Sequence, residues 1–448
     1  MLTGVTMQSL ETAQHIVDEN LDYSLFSWSV QGSIKPLAVV GGQGAWFWDA
    51  DGNRYLDLSS QQVICTNLGH QHPRVVQAIK DQADKMCFVA PSYASEPRGK
   101  LARKLVEITG LGKIFFTLAG ADATENAIKM ARLVTGRHKI ITRYRSYHGS
   151  THGAMSASGE FRRWPIEPAQ AGIVRVPDPF VYRSPFGDDP ETVGRKTVEW
   201  VEEVIGYEGP HTIAAMIVEG ITGSNGVLIP PDNYYPLLQE VLCKHNILLI
   251  VDEVMSGFGR TGAWFAYQHW GVRPDMITMA KGLTGSYVPL GAVAVSQEIA
   301  GYFDDHMLWA GLTYAGHPLA CAAGLAAIAA YEEDNLIEGA RELGVVQRNR
   351  LLDMQDRHPC IGEVRSIGLF GVLELVKDRG TKEPVSPLYG PQAPSVAALT
   401  GACRSKGVDV MTRFNWVFVA PPLVISRDDL LWGLSVIDEA LYVVDRSL

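Results

Sequence analysis

The chain has 448 residues, 46% hydrophobic and 20% charged, with a formal net charge of −10. That length can bury a large core and divides into more than one domain or subdomain, and the composition is ordinary for a globular protein. The acidic balance excludes a general nucleic-acid or anionic-membrane binder, because no basic surplus exists to neutralise phosphates.

Six cysteines are scattered along the chain (65, 87, 243, 321, 360 and 403) with no C-x-x-C and no framework spacing. They read as reduced thiols of a cytoplasmic protein. No basic segment followed by an apolar run opens the chain, so no signal peptide is read. The most apolar helical stretch, 318–331, is alanine-rich and shorter than the ~20 residues of a membrane span.

In chain order, residues 1–30 carry a loose helical pattern (Ala13, Ile16, Val17) and then the aromatic cluster Tyr23, Phe26 and Trp28. Residues 37–58 read as a strand meander with a D-G-N turn at 51–53. The glycines at 41, 42 and 44 lack the strand–G-x-G-x-x-G–helix context of a dinucleotide loop, which disfavours a nicotinamide-dependent dehydrogenase. His70 and His72 have no further ligands at suitable spacing, so no metal site is read. A helix at 96–108 leads to a strand at 113–117. The small-residue loop L-A-G-A-D-A-T-E (118–125) then opens a helix with Ala127, Ile128, Met130 and Ala131 on one face. Free N–H groups and the positive helix end make such a loop a phosphate cradle, with Gly120 and Ala121 as its first candidates.

A strand at 139–142 runs into S-Y-H-G-S (146–150), which carries Tyr147 and His148. Residues 156–195 are weakly patterned and read as a long loop region. A helix at 198–205 precedes a strand at 212–218 that ends at Glu219, and a helix follows at 234–245. The next two apolar runs, 247–251 and 276–280, end in groups that a core would not choose: Asp252-Glu253, and Lys281 followed by Gly282. As strands, both deliver their polar residue at the carboxyl end, where open α/β sheets bind ligands. Desolvation lowers a lysine's pKa and lets the amine form a Schiff base, while a neighbouring aspartate can hold a pyridinium N–H. A pyridoxal phosphate enzyme needs that pair. Beyond it come a strand at 290–295, the segment G-L-T-Y-A-G-H-P (311–318) with Thr313, a helix pair at 319–357, strands at 361–376, and a final hairpin with Arg413 and A-P-P-L (420–423). An arginine fork suits carboxylate or sulfonate.

V-D-E-V-x-x-G-F-G-R-T-G, A-K-G, W-D-x-D-G-x-x-Y-L-D (48–57), Y-H-G (147–149) and A-P-P-L together resemble the class III (ω-amino acid) aminotransferases over nearly the whole chain. S-W-S-V-Q-G (27–32) and S-S-Q-Q-V-I-C-T-N-L-G-H-Q-H-P (59–73) look most like the taurine–pyruvate aminotransferase branch. The resemblance implies an α/β, fold type I architecture with a mostly parallel central sheet: an N-terminal segment and part of a small domain at 1–65, a large cofactor-binding domain at 66–330 and a C-terminal small domain at 331–448. It implies pyridoxal 5′-phosphate held by Lys281, with Asp252 on the ring nitrogen, Tyr147 and Val254 on opposite ring faces, and His148 and Glu219 supporting. Gly120 and Ala121 would hold the phosphate; the family writes G-S-E-A where this chain has G-A-D-A, so one hydroxyl is missing. Thr313, in the family's H-T-Y-S-G-H-P pattern, would reach the partner's phosphate across a homodimer or homotetramer. Trp28 and Arg413 would bind substrate. The implied reaction moves an amino group from a taurine- or β-alanine-like donor, or another primary amine, to an α-keto acid, pyruvate foremost. An amine transaminase for hydrophobic amines, or an aminomutase or decarboxylase, would share Lys281 and Asp252.

Overall fold

The computed structural model describes residues 12–448, arranged around three sheets. The first is the meander β1 (Val39–Gln43), β2 (Trp46–Asp49) and β3 (Arg54–Asp57). Its turn is held by Asp49, whose Oδ1 accepts the backbone N–H groups of Asp51 at 3.1 Å and Asn53 at 2.8 Å. A two-residue strand from the far end of the chain, Val408–Asp409, pairs in parallel with β3 and ties the two termini together. The helical reading near residue 13 corresponds to the helix Ala13–Tyr23, and residues 1–11 lie outside the described part.

The central sheet holds seven strands: β4 (Lys113–Thr117), β5 (Lys139–Arg143), β6 (Ile173–Val176), β7 (Ile213–Glu219), β8 (Leu248–Asp252), β9 (Met276–Met279) and β10 (Gly291–Val295). The order is β4-β10-β9-β8-β7-β5-β6, with β10 antiparallel to both neighbours and the other pairings parallel. β7 and β10 are buried at every residue, so their unbroken apolar runs reflect helices on both faces. Successive side chains alternate between those faces. Ile217, Ile250, Met276 and Val293 pack with Ala123, Ala127 and Ala131 of the helix Gly120–Thr135. Met216, Leu249, Val251 and Ile277 join the cluster that includes Val201 and Ile205 of the helix Pro190–Glu208 and Leu238 of the helix Tyr234–Lys244.

The third sheet is antiparallel and comprises Ile361–Ile367, Phe370–Asp378, Trp416–Val419 and Met411–Arg413, with Glu383–Pro384 pairing to Phe370–Asp378. The helix Pro318–Glu333 is buried around most of its girth; its Tyr331 hydroxyl donates to the Gly282 carbonyl at 2.7 Å and so reaches the residue after Lys281.

One part of the sequence reading needs correction. The stretch 156–195 contains strand β6, and the following helix starts at Pro190, eight residues before the apolar pattern shows it. Local chemistry sets that start. Asp189 accepts the Thr192 N–H at 2.8 Å, and proline at the first helical position needs no acceptor.

Glu253 anchors the loop after β8. It is fully buried; Oε1 accepts the Tyr267 N–H at 2.9 Å, and Oε2 accepts the Ala266 N–H at 3.0 Å and the Ser256 hydroxyl at 2.7 Å. Burial pushes its carboxyl from 4.5 up to about 7. Because the folded-state value is raised, the linked stability is complete below the unfolded value and fades as pH rises through about 7. Glu253→Gln must aim an amide N–H at a backbone N–H, so thermal melts should show a loss of about 2–4 kcal/mol. The variant should also show a flatter stability profile between about pH 5 and 8.

Candidate active site

Parallel register brings the two acids together at the carboxyl ends: Glu219 of β7 pairs with Asp252 of β8, and Asp252 with Thr278 of β9. Lys281 follows two residues after β9. Glu219, Asp252 and Lys281 face one cavity of about 380 Å³, also lined by Gly120, Ala121, Tyr147, His148 and Val254. Eight of the residues singled out in the sequence therefore line a single pocket at the sheet's ligand-binding edge.

Asp252 is almost fully buried and doubly held: Oδ2 lies 2.7 Å from His148 Nδ1, and Oδ1 accepts the Val254 N–H at 3.0 Å. A carboxylate only accepts, so Nδ1 of His148 carries the proton. Thr142 Oγ1 approaches the other ring nitrogen at 3.5 Å. His148 thus acts on Asp252 and orients it. Glu219 accepts the Tyr147 N–H at 2.9 Å and the Gly223 N–H at 2.7 Å, and burial raises its carboxyl above the usual range. It sets the backbone that presents Tyr147.

Burial holds the Lys281 amine below the ordinary lysine value, against the opposing pull of Cys65, Asp252 and Glu219. Its backbone adopts φ +44°, a region that L side chains rarely occupy. Glycine must follow, since a Cβ at 282 would lie 2.8 Å from both Asn67 Nδ2 and Phe258 Cβ. On the opposite wall the helix Gly120–Thr135 begins with no side chain capping its N-terminus, so its first N–H groups are open to an anionic ligand. A Cβ at Gly120 would sit 2.9 Å from a Val254 methyl, so glycine keeps this wall close-packed.

Three residues singled out in the sequence do not line the cavity. Trp28 lies beyond Tyr147, with ring centroids 6.3 Å apart and near-perpendicular planes, and is 62% exposed. Arg413 is set behind Ser224, donating to its carbonyl at 3.1 Å and to Glu160 Oε2 at 2.8 Å. Thr313 is exposed.

Two functional candidates escaped the sequence reading. Arg162 lies over the Tyr147 ring at 3.6 Å and over the Trp28 ring at 5.1 Å, and donates to the Ser224 hydroxyl at 3.1 Å. Glu160 is buried and ion-paired with both Arg162 and Arg413. The available signal was S-G-E-F-R-R-W, an acid beside paired arginines and aromatics inside a stretch read as loop.

Comparison with known proteins agrees with this geometry. The family model described as aminotransferase class-III matches residues 29–441. A taurine–pyruvate aminotransferase of Bilophila wadsworthia is 35% identical over 93% of this chain and 94% of its own. A taurine:2-oxoglutarate aminotransferase of Bifidobacterium kashiwanohense, solved with pyridoxal phosphate and glutamate, is 43% identical, with a TM-score of 0.95 over 98% of this chain and 99% of that one. An (S)-enantioselective ω-transaminase of Thermomicrobium roseum is 36% identical, with a TM-score of 0.90 over 96% and 99%. The chain belongs to the class III aminotransferase family and has the fold type I architecture of its pyridoxal phosphate enzymes.

The residues present fit that cofactor. The uncapped helix end suits the phosphate, the Asp252 carboxylate suits a protonated ring nitrogen, and the Lys281 amine suits the aldehyde. Borohydride reduction of the cofactor-loaded protein should fix the cofactor's mass on the peptide holding Lys281, and Lys281→Ala should carry none. Asp252→Asn should cut kcat by about 10²–10⁴-fold while the labelled peptide stays the same, checked by steady-state kinetics beside mass spectrometry.

Proposed function

We propose that the enzyme moves an amino group from a short ω-amino acid with an acid head group, of the taurine and β-alanine class, to an α-keto acid, pyruvate foremost. The observation that carries this reading is the pair of guanidiniums on Ser224: Arg162 holds its hydroxyl and Arg413 its carbonyl, and Ser224 lines the cavity of Lys281. Two forked cations directly behind Ser224 on the cavity wall and a reactive amine inside the cavity match a substrate with an acid at one end and an amine at the other. The taurine-acting relatives support this reading.

Bound pyridoxal phosphate supplies an electron sink for the donor's amine-bearing carbon and a seat for the amino group between half-reactions. The chain does the remaining work. Lys281 Nζ, made a weaker base by burial, would hold the cofactor in its neutral form, and it is placed in the cavity to take the proton from the donor carbon and to return one to the acceptor carbon. Asp252, oriented by His148 and the Val254 N–H, would keep the ring nitrogen protonated. Tyr147 and Val254 would bound the ring and the N–H groups of Gly120 and Ala121 would hold the phosphate, since all four residues line the cavity. A second reading, a hydrophobic amine as donor, is favoured by the apolar wall of Leu118, Met255, Val288 and Leu290.

The reading extends to a homodimer. Met86, Phe88, Met307, Trp309 and Tyr314 are all exposed, from 41% to 70%, and Thr313 lies among them, with the Phe88 and Tyr314 rings 5.8 Å apart. Exposed apolar side chains at this density mark an interaction surface. A second copy covering it would carry Thr313 to the partner's phosphate. All six cysteines are free, which suits a reducing, cytoplasmic setting.

Arg162→Ala and Arg413→Ala should each raise KM for taurine by about 10–100-fold, the loss of a charge-assisted hydrogen bond, and leave 1-phenylethylamine nearly unchanged in the same assay with pyruvate. Equal loss on both donors would contradict the assignment. Trp309→Glu should convert the dimer to monomer in sedimentation velocity, with activity lost in parallel and partly regained at high protein concentration.

A further inference from the structure

Glu160 is the one carboxylate between the two arginines. Its side chain is fully buried, and its two oxygens are divided: Oε1 engages Arg162 Nε, and Oε2 accepts from Arg413 Nη2 at 2.8 Å. Neither arginine has a second carboxylate within 4.0 Å among the described residues. The other polar contacts of the two guanidiniums are the hydroxyl and carbonyl of Ser224, both neutral. Aromatic rings hold the rest: Tyr147 and Trp28 lie against Arg162, and Phe161 and Phe414 against Arg413 at 5.3 and 5.4 Å. Two positive charges and one negative charge are thus confined in an aromatic shell, and their sum is +1.

We propose that Glu160 is a specificity-determining residue, an internal counter-ion that fixes the head-group end of the pocket at one net positive charge. This rests on the reading of the cavity as the donor site. A monoanionic head group, sulfonate or carboxylate, brings that end to neutrality by competing with Glu160 for the guanidinium N–H groups. A donor with no acid leaves both arginines paired to Glu160, so no bare guanidinium pair has to be desolvated beside an apolar substrate. One carboxylate therefore serves both donor classes: it weakens acids and makes uncharged amines tolerable. Glu160 touches the arginines and acts on substrate through them, which makes it a positioning residue.

The test uses four holoenzymes whose head-group charge is set by count: wild type (+1), Glu160→Gln (+2), Arg413→Gln (0) and the double variant (+1). Ethanesulfonate, which has the acid but no amine, is titrated by calorimetry, so binding is read without turnover. The expected order of affinity is Glu160→Gln tightest, by about tenfold over wild type, then wild type and the double variant together, then Arg413→Gln weakest by a similar factor. In kinetics, Glu160→Gln should lower KM for taurine and raise KM for 1-phenylethylamine, with kcat nearly constant for both, and Glu160→Asp should restore the wild-type ratio. A residue with a structural role alone would worsen both donors together, and that result would overturn the proposal. So would an unchanged or weaker ethanesulfonate affinity in Glu160→Gln, or no binding to wild type. Should Glu160→Gln fail to fold, tighter binding by the double variant than by Arg413→Gln supports the proposal, and equal or weaker binding ends it. Failure of wild type to aminate pyruvate from taurine or β-alanine would instead overturn the donor assignment, a separate readout.

Discussion

The buried guanidinium of Arg260 joins the parts of this molecule that must agree for a site to exist. It projects from the loop after Asp252 and donates to four neutral oxygens: the Leu369 carbonyl at 2.9 Å, the Pro421 carbonyl at 2.5 Å, Ser60 Oγ at 3.1 Å and Asn67 Oδ1 at 2.9 Å. Those acceptors come from the segment before the central sheet and from both sides of the C-terminal sheet. Burial drags its pKa down to about 10, yet the charge is retained because the fork finds acceptors in several directions. A lysine could not reach so many. Asn67, one of those acceptors, also donates to the Phe258 carbonyl at 3.0 Å and packs on Gly282. The hold of Arg260 on the termini therefore passes through Asn67 to Gly282, the residue after Lys281.

From that frame the site acquires two charged ends, one inside the cavity and one behind its Ser224 wall. Glu219 and Asp252 stand at neighbouring strand ends beside Lys281, and Arg162 and Arg413 gather at Ser224. Leu118, Met255, Val288 and Leu290 also line the cavity, and apolar surroundings of this kind strengthen electrostatic interactions. Strand register fixes the first end. The second is built from a loop before β6 and a hairpin near the end of the chain, segments free to vary without disturbing the sheet.

What the sequence disclosed follows from how local each signal was. β7, β8 and β9 were readable because strands buried on both faces are continuous apolar runs, and a charged residue at the end of such a run is conspicuous. Tyr147, His148 and the small-residue loop at Gly120 were readable as compact motifs at element ends. The pairing of Glu160 with Arg413 was not, because 253 positions separate the partners and neither residue is unusual alone. The start of the helix at Pro190 was hidden because its first turns are polar and its stop signal for the preceding loop is a single Asp-Pro step. Arg260 sits inside the G-F-G-R-T-G motif, but its acceptors at Leu369 and Pro421 lie more than a hundred positions away, beyond the reach of any pattern.

The left-handed backbone of Lys281 has an evolutionary consequence. A non-glycine residue there carries on the order of 1–2 kcal/mol of conformational cost, and its amine is buried as well. The carbonyl of Gly282 is pinned by Tyr331 and the carbonyl of Lys281 accepts the Ser286 N–H at 3.1 Å, so the turn has no room to relax. Folding alone would prefer glycine at 281. Selection for stability and selection for chemistry therefore pull this one position in opposite directions, and a lineage released from the need to transfer amino groups should lose the lysine early while keeping the fold.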